Sequence, residues 1–268
     1  VMELLPVEII QINRNKINKI DSFVKSIYRL IIYSRHHLDD DLLDIYLEGV
    51  SNLKELLSIK NAQMEAQNEE EAQEYLKKLK ITLDFVIEEI ILHVNFEKEI
   101  QLFQLLRLVS PETNAIHPNR YRQTCVQIGA HICPEPTIVP QLVSELFFKI
   151  QSIPNPIIRA IYFHHELIRI HPFADGNGRA TRIAKNWMLM YDLYPPIFIN
   201  DASQKKEYIT TLGNSFRELE KQPNKWNNYT AAFFEQELDR LITNSSLLYD
   251  SIKLIGLNRK KKIIINEK

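Results

Sequence analysis

The chain has 268 residues, of which 45% are hydrophobic and 25% charged, enough to bury a core in one large or two small domains. Its 33 basic and 34 acidic side chains give a net charge of −1, which excludes the basic excess of a wholesale nucleic-acid binder. No stretch approaches 18 apolar residues without a charge, so no membrane span is expected, and six glycines point to a helical protein with few tight turns.

Residues 7–35 carry Ile9, Ile10, Ile17, Ile20, Val24, Ile27, Tyr28 and Ile31, mostly at three-and-four spacing, the period of an amphipathic helix. Asp39, Asp40 and Asp41 then offer capping and first-turn charge for a helix through Leu43, Tyr46, Leu47 and Val50. Glu69, Glu70 and Glu71 open a long helix over 69–93, and another is expected over 97–109. From Tyr121 to Gly129 the pattern alternates and prolines follow at 134, 136 and 140, predicting a short hairpin or flap. Helices resume at 138–152 and 155–169, another runs from Gly176 to Tyr191 until Pro195 and Pro196 stop it, and two or three fill 202–255. Cys125 and Cys133 fit neither a redox nor a zinc spacing. The start, Val1-Met2, shows no charged leader and cleavage site, which makes the cytoplasm the expected compartment. Arg259-Lys260-Lys261-Lys262 is expected to be a solvated basic tail.

The chemistry concentrates in His171-Pro172-Phe173-Ala174-Asp175-Gly176-Asn177-Gly178-Arg179-Ala180-Thr181-Arg182. A two-glycine loop running into a helix N-terminus offers free backbone N–H groups and the positive end of a dipole, an anion site. Arg179 and Arg182 stand three apart on that helix and can both aim cations at it. Asp175 supplies the hard oxygen that Mg²⁺ prefers, and His171 can take a proton near neutral pH. Base, metal ligand, phosphate cradle and cations together describe transfer of a phosphate-containing group.

This segment resembles the Fic signature H-x-F-x-[DE]-G-N-G-R-x-x-R at every specified position, a match expected by chance on the order of 10⁻⁸ times in such a chain. The resemblance implies an all-α Fic fold with a hairpin flap. It implies a core over 93–230, an N-terminal helical region over 1–92, and a C-terminal helical segment with a basic tail over 231–268. It also implies a protein adenylyltransferase: His171 would deprotonate a target hydroxyl that attacks the α-phosphorus of ATP, and Asp175 would hold Mg²⁺. Gly176, Asn177 and Gly178 would cradle phosphates, Arg179 and Arg182 would bind the β- and γ-phosphates, and Phe173 would anchor the loop. Thr124, Cys125, Val126 and Gln127 of the flap would cover the nucleotide and dock the target's backbone as an added strand, and Tyr208 would line the adenine pocket. Gly178 resembles the AMP-transferring members rather than those with Lys there, which act as kinases.

Asp44-Ile45-Tyr46-Leu47-Glu48-Gly49 is similar to the family's inhibitory motif [ST]-x-x-x-E-[GN], departing at its first position. Glu48 would pair with Arg182 and hold the enzyme in check. The alternatives are a hydrolase that removes AMP with the help of Glu48, and a non-catalytic nucleotide-binding regulator. A target protein of unspecified identity is implied, with self-modification and a homodimer both compatible and no nucleic-acid partner expected.

Overall fold

The computed structural model describes residues 2–35, 41–53, 66–199 and 201–266. Among these the chain is all-α apart from one two-stranded hairpin, and no helix is long and apolar enough to cross a membrane. Asp39 and Asp40 lie outside the described residues. Asp41 does cap as its type predicts, its carboxylate accepting from the Leu43 N–H at 2.9 Å.

The helices are α1 (Arg14–Ser34), α2 (Leu42–Leu53), α3 (Glu69–Ile91), α4 (Glu99–Val109), α5 (Pro111–Ile116), α6 (Val139–Gln151), α7 (Pro156–Ile170), α8 (Asn177–Tyr191), α9 (Ala202–Lys221) and α10 (Asn228–Asn266). Side-chain caps start several of them. Asn13, Asn68, Asn155 and Asp201 each accept from backbone N–H groups of the first turn.

α7 and α8 form the centre. Nearly every side chain from Ile157 to Ile170 and from Asn177 to Met190 is buried, polar ones included, as a helix covered on all sides requires. α6 covers α7, while α3 and α4 cover α8. Burying polar groups demands partners, and they are present. Lys185 of α8 pairs with Glu237 of α10 at 2.7 Å, and Glu237 also accepts from Arg240 at 2.9 Å. Glu166 of α7 pairs with Arg169 at 2.8 Å and accepts from the Leu5 N–H, which ties the N-terminal segment to the core.

α10 is the longest element and does two jobs. Its first turns pack on the core, with Phe233 5.4 Å from the His164 ring and Thr230 bonded to Ser215 at 2.7 Å. Farther along it carries α1 and α2. Lys16 pairs with Glu235 and Asp239 near one end of α1, and Ser34 lies against Gly256 near the other, so the two helices run side by side in the same direction. Gly49 of α2 sits against Leu248 and Ile252. The expected boundary at 230/231 falls inside this continuous helix, and the basic run Arg259 to Lys262 belongs to it rather than to a tail.

Of the alternating stretch Tyr121 to Gly129, only Gln127–Ile128 is strand. It pairs antiparallel with His131–Ile132, and Gly129 turns the tip at φ +58. The remainder is loop because Tyr121 and Arg122 are spent on anchoring it, not on a ladder.

Candidate active site

The segment between α7 and α8 is held in a fixed, partly strained shape. His171 ends α7 in the left-handed region, φ 53 and ψ 65, with its N–H on the Leu167 carbonyl at 2.9 Å. A non-glycine residue there costs about 1–2 kcal/mol, so the surroundings must hold it. Arg122 does so. Its Nε donates to the His171 carbonyl at 2.7 Å, its Nη1 to Thr124 at 2.7 Å, and its Nη2 to Pro134 at 2.5 Å. Its own N–H reaches the Pro172 carbonyl at 2.9 Å. Phe173 is buried against Phe103 and Tyr121.

Asn177 closes the loop from the other side. Its amide oxygen accepts from the Phe173 N–H at 2.9 Å and its amide nitrogen donates to the Phe173 carbonyl at 2.8 Å. The amide expected to cradle phosphate is therefore a staple, and only the backbone N–H of Asn177 is placed for an anion. Gly176 has φ +80, and a Cβ there would lie 2.9 Å from the Ser110 Cβ; glycine is required by both conformation and space. α8 starts immediately after it, so its first N–H groups have no intrahelical acceptor.

The loop separates two cavities that share His171 and Gly178. The larger, about 430 Å³, is also lined by Arg182, by Ile128 to His131 of the hairpin, and by Lys205, Tyr208, Leu212 and Arg217 of α9. The smaller, about 250 Å³, is lined by Tyr75, His171 and Asp175 to Arg179. Arg182, Lys205 and Arg217 give the larger cavity a cationic wall suited to a polyanion. Burial pulls the His171 imidazole down to about 4, partly opposed by the Ile168 carbonyl and reinforced by Arg122 and His131. The ring is neutral at pH 7 and able to accept a proton.

The structure redistributes several expected roles. Arg179 and Arg182 do not face one cavity. Arg179 is buried, donates to the Val109 carbonyl at 2.8 Å and to Asp175 at 3.2 Å, and lies 4.1 Å from the Tyr75 ring centre; those partners take up the guanidinium intended for phosphate. Arg182 lies against Gly178 at the larger cavity. Asp175 is exposed beside the smaller cavity. One exposed carboxylate fits Mg²⁺, which keeps waters and takes much of its shell from substrate phosphates, the anions that the nearby backbone N–H groups suit; among the described residues no cluster of three or more ligating side chains suggests a dedicated cage.

Thr124, Cys125, Val126 and Gln127 do not line the larger cavity. The hairpin register places its tip, Ile128 to His131, there instead, while Thr124, Cys125 and Gln127 are exposed. Tyr208 borders the cavity but is buried, its hydroxyl 2.6 Å from the His164 Nε2. Glu48 is not at Arg182. Its carboxylate accepts from Arg259 at 2.9 Å, half exposed. Glu237, which meets Lys185 one turn beyond Arg182, stands about 33 Å from Arg259 along α10 at ~1.5 Å per residue.

Sequence reasoning missed Arg122, His131 and Tyr75. Arg122 stands inside the alternating stretch and His131 just beyond it, and Tyr75 reads as one more position of a long helix. Nothing in local spacing shows that these two distant segments converge on one loop.

Residues 98–189 match the sequence model of the Fic/DOC family. Over 111 residues, 40% of this chain, the sequence is 33% identical to the protein adenylyltransferase Fic of Culex quinquefasciatus and to that of Drosophila melanogaster. The match covers 22% and 23% of those proteins, so the chain spans less than a quarter of their length. A Fic domain containing signaling protein from Bacteroides thetaiotaomicron superposes with a TM-score of 0.61 at 18% identity, over 91% of this chain and 97% of that one. A Fic family protein from Desulfovibrio desulfuricans superposes with a TM-score of 0.56 at 19% identity, over 89% and 75%. These structural likenesses extend the shared fold well beyond the matched sequence.

Proposed function

Starting from a chain that carries a Fic domain, we propose that it is a protein adenylyltransferase, moving AMP from ATP to a Ser, Thr or Tyr hydroxyl of a target protein. The observation that carries this reading is the position of His171 between a cation-walled cavity of about 430 Å³ and the free N-terminus of α8. The relatives named as adenylyltransferases support the same reaction class.

In this reading the nucleoside occupies the larger cavity under the hairpin tip, and the phosphates pass over Gly178 toward the smaller one. The N–H groups of Asn177, Gly178 and Arg179 donate to phosphate oxygens, and Arg182, beside Gly178, takes phosphate charge where the two cavities meet. Neutral His171 accepts the proton of the target hydroxyl as that oxygen bonds to the α-phosphorus and pyrophosphate departs. A positioned base contributes roughly 10²–10⁴ in rate. Asp175 would hold Mg²⁺, which supplies charge neutralisation on the leaving phosphates. The target's backbone would lie along the exposed Thr124 to Gln127 edge as an added strand. The target is another protein or a second copy of this chain, and the cytoplasm is the compartment in which ATP is supplied.

Glu48 takes no part in this reading: a brake needs its carboxylate beside Arg182, a hydrolase needs it at the water that attacks AMP, and it is paired with Arg259. A non-catalytic nucleotide-binding regulator would bind ATP without transferring from it. The test is incubation with ATP labelled at the α-phosphate, Mg²⁺ and a lysate as target source. Label on protein with the wild type and its loss in His171→Ala would support transfer. Retained ATP binding with no label in either would overturn it.

A further inference from the structure

The tip of the hairpin is fastened by a histidine that no part of the reaction above uses. His131 is almost fully buried, 5% exposed, with its ring 5.0 Å from that of Phe216. Its Nδ1 lies 2.6 Å from the Glu220 carboxylate of α9 and its Nε2 lies 3.0 Å from the Arg169 carbonyl of α7. A carbonyl oxygen can only accept, and so can an ionised carboxylate. A neutral imidazole has one N–H and can serve one of them; an imidazolium has two and serves both.

We propose that His131 is a positioning residue that, as its imidazolium, latches the hairpin tip across α7 and α9 and so shapes the larger cavity. The same residue lines that cavity beside Ile128, Gly129 and Ala130, so releasing one of its two bonds frees the cavity's roof. The other anchor of the segment, Arg122, holds the far side of the flap and does not titrate in the working range. The groups that face His131 are Glu220 and Phe216 from α9, and the Arg169 carbonyl and His165 from α7. His171 at the end of α7 and Cys133 of the flap, itself close to Glu220, complete its surroundings. The Arg169 guanidinium is turned away to Glu166. Glu220 is therefore the one carboxylate bonded to the ring among the described residues.

The first readout does not depend on the proposed function. In the full chain, nitrogen NMR of the His131 ring counts its N–H groups, and hydrogen exchange of the Ile128, Gly129 and Ala130 amides is compared between wild type, His131→Gln and, should that variant fold poorly, the half-exposed Glu220→Gln. The expected result is two ring N–H groups in the wild type and exchange about ten- to a hundredfold faster in the variants, the equivalent of one charge-assisted bond. The second readout rests on the proposed function: ATP affinity should weaken in the variants, with KM moving more than kcat. A wild-type ring with a single N–H, or the same exchange in wild type and variants, would overturn the latch.

Discussion

The Arg122 Nε donates to the main-chain carbonyl of His171 at 2.7 Å, across 49 residues of sequence. The same buried guanidinium also reaches Thr124 and Pro134 in the flap. One side chain thus fixes the left-handed turn that presents the proposed base and the loop that roofs its cavity. Main-chain carbonyls accept these hydrogen bonds, so the protein solvates the charge much as water would.

Arg122→Ala should leave those carbonyls buried without donors. Hydrogen bonds to a charged donor contribute about 1.5–3 kcal/mol each and do not add fully; a loss of about 3–5 kcal/mol is expected in urea unfolding. Label transfer should fall at least about a hundredfold, because His171 loses its orientation. Arg122→Lys, a point charge without the fork, should recover only part of either quantity.

His171 is held down to about 4 by burial. A group that must be neutral to work and titrates there keeps its base form as pH falls from 7.5 to 5.5. A ring with the ordinary value near 6.5 would retain only about a tenth of its base form at pH 5.5. At saturating ATP, label transfer per folded molecule should therefore change less than about twofold over that interval.

The same burial has a cost in acid stability, with a definite sign. His164 is pulled down to about 3 by burial and by Lys185, and His171 to about 4. Both rings return to about 6.5 in the unfolded chain, which then binds more protons than the folded one. Their contribution is complete above pH 6.5 and is lost as pH falls below it, at about 1.4 kcal/mol per pH unit for each ring. Urea midpoints measured at pH 7.5, 6 and 5 should decline only below about 6.5.

The two loop glycines should respond differently to alanine. At Gly176 the new Cβ meets the Ser110 Cβ at 2.9 Å on a backbone with φ +80, so Gly176→Ala should cost about 2 kcal/mol or more and abolish transfer. At Gly178 the nearest atom is the Arg182 Nη1, at 2.9 Å on a flexible side chain. Gly178→Ala should fold normally and raise KM for ATP by displacing that guanidinium.

Glu48→Gln tests the placement of α2. Its half-exposed pair with Arg259 is worth at most about 1 kcal/mol, and label transfer should stay within about twofold of wild type. A rise of tenfold or more would mean that Glu48 reaches Arg182 in solution.

The sequence by itself determined the helical class, the Asp41 cap and the segment from His171 to Arg182. Those depend on period, on local capping chemistry and on contiguous residues, all of which are written along the chain. It also marked Gly176 correctly, since a left-handed helix entry is a local demand. Only the tertiary structure decided which of the two loop arginines faces the larger cavity. Arg179 is taken by the Val109 carbonyl, Asp175 and Tyr75, and two of those partners come from helices 70 and 104 residues away. Likewise the convergence of Arg122 and His131 on the end of α7, and the pairing of Glu48 with Arg259, join segments that no local pattern connects. Such contacts are set by how α3, α9 and α10 pack around the central pair, and packing is a property of surfaces that meet only after the chain has folded.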